Sequence, residues 1–355
     1  MNRLNVYKKL FNDPWAIISS FYIFFLIIVA VFAYQIAPDN SINANQMHLS
    51  IHSMPPGFKT KIVVIEQNKK IEKKHSFFFG QSNTSLEIPI KNYLIEDEGV
   101  RIQPYGYNDE YYEYLDNQSV TSHNFKSDYL IEKIFPLGTD MYGRDLLSRL
   151  IIGTRISLTI GFIAVFISLI IGIIIGGIGG YFGGEIDKLI VWLINVFWSI
   201  PTLLTVIAIT LALGRGFWQV FIAVGLTMWV EVARIVRGQI LSLKEKNFVN
   251  SAKVLGYNNF RILFNHILPL IVPPLIVTSA ANFASAILIE SGLSFLGIGA
   301  QPPIPSWGGM VKDHFRYLLL GKPYLTLLPG LTIMSLVLAF MTLGNSLRDA
   351  LDIKN

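Results

Sequence analysis

Six apolar runs divide the chain, at residues 15–37, 157–181, 189–213, 217–236, 267–289 and 325–343. Each approaches or exceeds the ~20 residues that a helix needs to cross the ~30 Å hydrocarbon layer of a bilayer. The pattern predicts an all-α polytopic membrane protein with six transmembrane helices. Between the first two runs, residues 38–135 are mostly polar and carry short strand-like stretches, KIVVIEQ (61–67), HSFFFG (75–80) and GVRIQPY (99–105), separated by Asn, Gly and Pro turns. They read as a small β-rich insert. Aromatic and β-branched residues, Tyr111, Tyr112 and Tyr114 among them, are too plentiful for a disordered linker. The chain thus divides into 1–37 (N-terminus and first helix), 38–135 (insert) and 136–355 (helical core), with a polar loop at 244–266 inside the core.

Several positions inside the runs carry further signals. Gly172, Gly176, Gly180 and Gly184 recur every fourth residue and make a ridge without side chains for close helix contact. They are not a phosphate-binding loop, because no GxxxxGK[ST] motif occurs in the chain. Trp198-Ser199-Ile200-Pro201 interrupts the third run and predicts a kink there. Glu231 and Arg234, three apart near the inner end of the fourth run, are expected to pair and anchor it. Pro273-Pro274 breaks the fifth run early, and Glu290 stands at its outer end. An ionisable group at membrane depth is a candidate for function. Ser294 lacks the second glycine of the G-x-S-x-G nucleophile elbow.

Composition sharpens the class. The 355 residues are 52% hydrophobic and 15% charged, with mean hydropathy +0.47, against about 25% charged in soluble proteins. The net charge of +5 comes from bases that flank apolar runs, as at a membrane edge, and not from one basic face suited to nucleic acid. The chain has no cysteine, which excludes disulfides, thiolate chemistry and cysteine-based metal sites. Arg3, Lys8 and Lys9 precede the first run, and Arg237, Lys244, Lys246, Lys253 and Arg261 crowd the interior loop between the fourth and fifth runs. The positive-inside rule therefore places both termini, the turn at Glu185 and that loop in the cytoplasm, and the insert outside. The first run is longer than the ~7–15-residue core of a signal peptide and lacks a small-x-small site before Pro38, so it reads as an uncleaved span.

The polar loop itself, FVNSAKVLGYNNFRILFNHILP (248–269), has helical spacing on both sides of a glycine. Phe248, Ala252 and Leu255 share one face, then Phe260, Leu263, Phe264 and Ile267 share another. Gly256 between them suits a left-handed helix stop, and Pro269 suits the first turn of the next span. Two short amphipathic helices meeting at an elbow follow. Ser251-Ala252, Gly256 and Ile267-Leu268-Pro269 resemble the cytoplasmic coupling loop of ABC-importer permease subunits, with Asn250 where glutamate is usual and Ser251 where the first alanine is usual. PLGTDMYGRDLLSRLIIGTRISL (136–158), GLSFLGIGAQPPIPSWG (292–308) and LRDALD (347–352) resemble the C-type permease of dipeptide and oligopeptide importers.

The resemblance implies a type-I ABC importer permease fold in a bacterial cytoplasmic (inner) membrane. It implies an ATPase-coupling loop using Phe248, Asn250, Ser251, Ala252, Leu255, Gly256, Ile267 and Pro269, and a translocation path passing Asn195, Pro201 and Glu290. Docking as a helix in a groove is expected to seat Phe248, Val249, Ala252 and Leu255 in an ATPase cleft. The implied partners are a homologous B-type permease, two ATPase subunits and an extracytoplasmic solute-binding protein, with peptide as cargo, the lipid bilayer as surroundings and no nucleic acid. No cofactor is expected in this chain; ATP and magnesium belong to the ATPases. The insert is longer than the resemblance leads one to expect, and reads either as a docking surface or as a decoration. Nickel and oligosaccharide permeases share these motifs and stay open as alternatives. A membrane scaffold, an intramembrane enzyme or a channel is the rival class. Against it, His48, His52, His75, His123, His266 and His314 all lie in loops or at edges, and neither HExxH nor a ring of charges occurs.

Overall fold

The computed structural model describes residues 9–66, 77–81, 85–96, 99–107, 112–115, 124–214 and 216–351. Arg3, Lys8, Gln67, His75, Tyr111, His123 and Asp352 lie outside the described residues. In chain order the main elements are α1 (Pro14–Val31), β1 (Phe58–Glu66), β2 (Ser85–Glu96), β3 (Gly99–Pro104), β4 (Glu113–Tyr114), β5 (Leu130–Phe135) and α2 (Leu146–Phe182). There follow α3 (Gly184–Trp198), α4 (Thr202–Leu213), α5 (Phe217–Leu243), α6 (Asn247–Val254), α7 (Leu268–Phe295), α8 (Trp307–His314) and α9 (Tyr324–Leu351).

Among the described residues, five helices are long and apolar enough to span a membrane, and α3 with α4 makes a sixth if the two count as one span. The break between them is sharper than the expected kink, a 90° bend. Pro201 cannot donate a backbone hydrogen bond, and its ring drives Ile200 out of helical geometry. The fourth span also differs from its expected bounds. Its helix continues past residue 236 to Leu243, which places Glu231 midway along the helix.

The chain folds as two units. One comprises Ile28–Arg155 and Pro302–Gly330 and holds the sheet, so flanks of the insert and a later segment belong with it. Its five antiparallel strands run in the order β4-β3-β2-β1-β5. Val63, Ile90, Val100, Ile102 and Phe125 pack one apolar cluster, and Ile51, Ile62 and Phe135 a second. Residues 77–79 form a turn and not the expected strand, while β2 and β5 form where none was expected. β2 carries Pro89 in register with Ile62 of β1, and its pairing with β3 shifts register between Ile90 and Asn92.

The same unit contains a buried charge cluster. Asp140 is fully buried; its carboxylate accepts the backbone N–H groups of Tyr142 (2.8 Å) and Arg144 (2.9 Å) and the Arg144 Nε–H (2.6 Å). Arg149 Nε lies 3.6 Å away, and Arg144 also donates to Asn45 at 3.0 Å. Asp145 caps α2 by accepting the Ser148 N–H at 2.9 Å, and burial pushes its carboxyl above the usual range. Trp307 donates Nε1–H to the Leu150 carbonyl at 3.0 Å, against Gly153, where an added Cβ would stand 2.8 Å from the indole. His314 donates from Nδ1 to the Met310 carbonyl (2.7 Å) and accepts the Met141 N–H at Nε2 (3.4 Å); burial holds its pKa down and keeps this neutral tautomer. Thus GTDMYGRDLLSR (138–149) is a folded clasp of ion pairs, with backbone donors filling the carboxylate's remaining lone pairs.

The other unit comprises Met1–Ile27, Ile156–Gln301 and Leu331–Asn355. Its α2 and α5 meet along the glycine ridge. A Cβ on Gly172 would lie 2.5 Å from Val232, one on Gly176 2.3 Å from the Ala233 carbonyl oxygen, and one on Gly180 2.9 Å from the Arg237 carbonyl oxygen. Gly184 is not part of the ridge. It starts α3 with φ +58° and has nothing within 4 Å of its Cβ position. At the end of the ridge, Arg237 makes a two-pronged ion pair with Asp187 of α3, at 2.5 and 2.7 Å.

Two outcomes test this packing. Gly176→Ala forces α2 and α5 apart and is expected to cost about 1–3 kcal/mol, whereas Gly177→Ala, with open space at its Cβ, leaves the melting temperature of the purified protein unchanged. Equal melting temperatures would mean that the ridge carries no weight. Asp140→Ala leaves two buried guanidinium groups without their shared carboxylate, a loss of about 3–5 kcal/mol. It is expected to lower the temperature at which the protein loses its monodisperse elution peak.

Candidate functional site

The loop between α5 and α7 forms because Lys244 to Lys246 end one helix in a turn and Lys246 caps the next in extended conformation. α6 then ends at Gly256, whose φ of +78° is the left-handed stop that glycine adopts without strain. Asn258 caps the following turn by accepting the Arg261 N–H at 2.8 Å. That turn does not stay a separate helix. It runs through a π-helical stretch, Ile262–Ile267, into α7, with Pro269 in the first turn. The expected pair of short helices is therefore one short helix and the leading end of a span, joined at Gly256.

Burial sorts the loop's residues. Val249 and Ala252 turn inward, to 0% and 4% exposure, and pack with Val236, Ile240, Ile262 and Ile267. This corrects the expectation that both face a partner's groove. Phe248, Val254 and Leu255 are exposed, the last two at 88% and 72%, and Phe260 and Phe264 are exposed beyond the elbow. Asn250 and Ser251 are also exposed, with the Ser251 hydroxyl donating to the Asn247 carbonyl at 3.0 Å. Ile267 is buried and Pro269 exposed. Val254, Phe260 and Phe264 extend the outward apolar surface beyond the residues the motif names. Their signal was the helical spacing itself once Val249 and Ala252 are assigned to the inner face. Tyr257 stacks on His266 with ring centroids 5.7 Å apart, and the Arg261 guanidinium lies 4.3 Å from the Tyr257 ring. Tyr181 of α2 donates to Asn259 at 2.9 Å, so the elbow is pinned to the span beside it.

The three path candidates are not gathered into one site. Asn195 is exposed in the last turn of α3, and its carbonyl accepts the Ser199 N–H at 3.0 Å. Pro201 is exposed at the break and caps α4. Glu290 is fully buried: its Oε1 accepts the Ser294 hydroxyl at 2.6 Å, and the Ser294 oxygen accepts the Ala300 N–H at 3.3 Å. A cargo contact through Glu290 requires that turn to open. Glu231 and Arg234 do not pair as expected. The guanidinium lies instead 3.2 Å from the centre of the Trp198 ring, a cation–π contact. Among the described residues no group of three metal-ligating side chains occurs.

Comparison with known proteins places these elements. Residues 168–354, more than half of the chain, match the family described as binding-protein-dependent transport system inner membrane component. The chain is 42% identical over 217 residues to a dipeptide transport system permease protein (DppC) of Alkalihalophilus pseudofirmus, an alignment covering 61% of this chain and 71% of that one. It is 45% identical over 218 residues to an oligopeptide transport system permease protein (OppC) of Salmonella typhimurium, and 40% identical over 218 residues to a glutathione transport system permease protein (GsiD) of Pectobacterium atrosepticum. Each of these two alignments covers 61% of this chain and 72% of the relative. With apolar spans, a broken third span and a folded loop between spans, the chain belongs to the binding-protein-dependent transport system inner membrane component family of multi-pass permeases.

Proposed function

We propose that this chain is the C-type permease subunit of an ATP-driven importer of short peptides in a bacterial inner membrane. The observation that carries the reading is its 40–45% identity to three relatives each named for a peptide cargo. In this reading the spans form half of a translocation path, a homologous B-type permease forms the other half, and a solute-binding protein delivers the cargo. Both termini and the α5–α7 loop face the cytoplasm, where Lys244, Lys246, Lys253 and Arg261 lie, and the sheet faces outward.

Two ATPase subunits, carrying ATP and magnesium, dock on the α6 elbow. Phe248, Val254 and Leu255 supply the apolar face, a helix seated in a partner's groove. Asn250 takes the place of a glutamate here, so this contact relies on apolar area more than on a salt link. The buried faces of Val249 and Ala252 fix α6 to the spans, which lets a push on the elbow travel as a rigid-body motion. The bend at Pro201 and the exposed Asn195 border the path.

Removing the subunit is expected to abolish uptake of a labelled tripeptide by cells that retain the binding protein. Loss of nickel or oligosaccharide uptake with peptide uptake intact would keep a permease and overturn the cargo. Phe248→Asp with Leu255→Asp places two charges in an apolar contact, and is expected to cut co-purification with the ATPase at least tenfold. Gly256→Val meets no steric obstacle but forces a β-branched residue to positive φ. It is expected to leave membrane insertion intact and lower binding-protein-stimulated ATP hydrolysis several-fold. Full stimulation would show that the elbow's geometry is not what couples.

A further inference from the structure

α5 carries a carboxylate midway along an apolar span, and its setting is unusual. One face of the helix is committed to neighbours: Val232, Ala233, Val236 and Ile240 are buried, the first two against the glycine ridge of α2. Glu231 stands off that face and is exposed. Among the described residues it makes neither an ion pair nor a side-chain hydrogen bond. Arg234, one turn away and the natural partner, is held instead against Trp198. A bare carboxylate in hydrocarbon is costly enough that such groups in spanning helices face the bundle interior or a water-filled cavity. The surroundings agree, for Glu231 lines a cavity of about 380 Å³ with Trp198, Thr202, Thr227, Ser285 and Leu288. That volume lies within the range of small-ligand pockets. Met228, Val230 and Ile289 complete the lining, so three hydroxyls, an indole and one carboxylate are set in a largely apolar wall. Trp198 and Thr202 reach it from the two sides of the 90° bend between α3 and α4.

We propose that this cavity is a cargo station in the membrane, where Glu231 receives the free α-ammonium group of the peptide in passage. The proposal rests on the peptide-importer reading and adds a residue and a recognition chemistry to it. A peptide's constant features are its backbone and its charged ends, and the amino end is the one feature a lone carboxylate can hold whatever the side chains are. The Thr202 and Ser285 hydroxyls can each donate to or accept from peptide groups, and the Thr227 oxygen, whose proton goes to the Val224 carbonyl at 2.8 Å, can accept, so the backbone is solvated without a sequence requirement. Arg234 parked on Trp198 keeps a cation close to the station without neutralising Glu231. A single carboxylate contact is weak enough for release, which a transport path needs as much as capture.

The test uses the assembled importer with its binding protein in proteoliposomes, and compares trialanine with N-acetyl-trialanine, each at concentrations saturating the binding protein. Wild type is expected to take up the free peptide faster. Glu231→Gln is expected to lose roughly tenfold or more of free-peptide uptake, the size of a charged hydrogen bond, and to leave acetylated-peptide uptake near wild type; Glu231→Asp should recover part of the loss. A second readout uses the absence of native cysteine. Glu231→Cys should react with a cationic, water-soluble thiol reagent, and Phe166→Cys, an exposed apolar position on α2, should not. Equal loss for both peptides, unchanged uptake by Glu231→Gln, or a Glu231→Cys that stays unreactive with and without ATP overturns the station alone. The last of these would mean that Glu231 meets the partner permease. Absence of any peptide uptake by the wild type overturns the peptide reading and the station together.

Discussion

The helical unit depends on a stretch where side chains are missing. In a bilayer, spans gain little from leaving lipid for one another, so association relies on van der Waals contact and on close backbone approach. Gly172, Gly176 and Gly180 supply that approach, bringing α2 within contact of the α5 backbone at Ala233 and Arg237. Once this seam is fixed, the rotation of α5 about its own axis is fixed as well. Val232, Ala233, Val236 and Ile240 face the seam, Arg237 reaches Asp187 of α3, and Glu231 is turned toward the cavity. The exposure of a mid-span carboxylate is thus a consequence of where the glycines are.

Charge is handled in two opposite ways along this chain. In the sheet-bearing unit, Asp140 and its two arginines are buried together, with backbone N–H groups filling the remaining acceptor sites. Such a cluster adds little net stability over an apolar one but tolerates no missing member, which suits a stretch that must hold one fixed shape. In the helical unit, Glu231 and Arg234 are left apart although their spacing would allow a pair. Leaving such charges unneutralised along an apolar helix is costly, and it is this cost on which the proposed cargo station rests.

Much of this was legible in the sequence because membrane spans and glycine periodicity are local signals. The apolar runs, the packing ridge and the Gly256 stop can each be read within a window of a few residues. The misses have both distant and local causes. Val249 and Ala252 share a helical face with nothing in the sequence to say which neighbour covers it; their burial follows from Val236, Ile240 and Ile262. Gly184 kept the fourfold spacing but lies beyond the α2 helix, where the spacing no longer describes a face. The strand β2 was hidden by Pro89, which pairs in register with Ile62 of β1, and β5 shows no alternation of apolar and polar residues from which to read it. The helix end at Leu243 was hidden because arginines from 234 onward resemble a membrane edge, while the helix itself runs on past them.

The cluster that buries α6 ties this short helix to three spans at once. Val249 and Ala252 share one core with Tyr181 of α2, Val236 and Ile240 of α5, and Ile271 and Leu275 of α7. Close-packed interiors transmit displacement because neighbours have no free volume to absorb it. A force applied at Phe248, Val254 and Leu255 therefore acts on α2, α5 and α7 together and cannot act on α6 alone. Glu231 stands on α5, Thr202 follows the α3–α4 bend, and Ser285 is on α7. A shift of α5 and α7 against the α3–α4 bend changes the walls of the cavity that holds them. The proposed docking face and the proposed cargo station are joined through α5, the helix whose orientation the glycine seam sets.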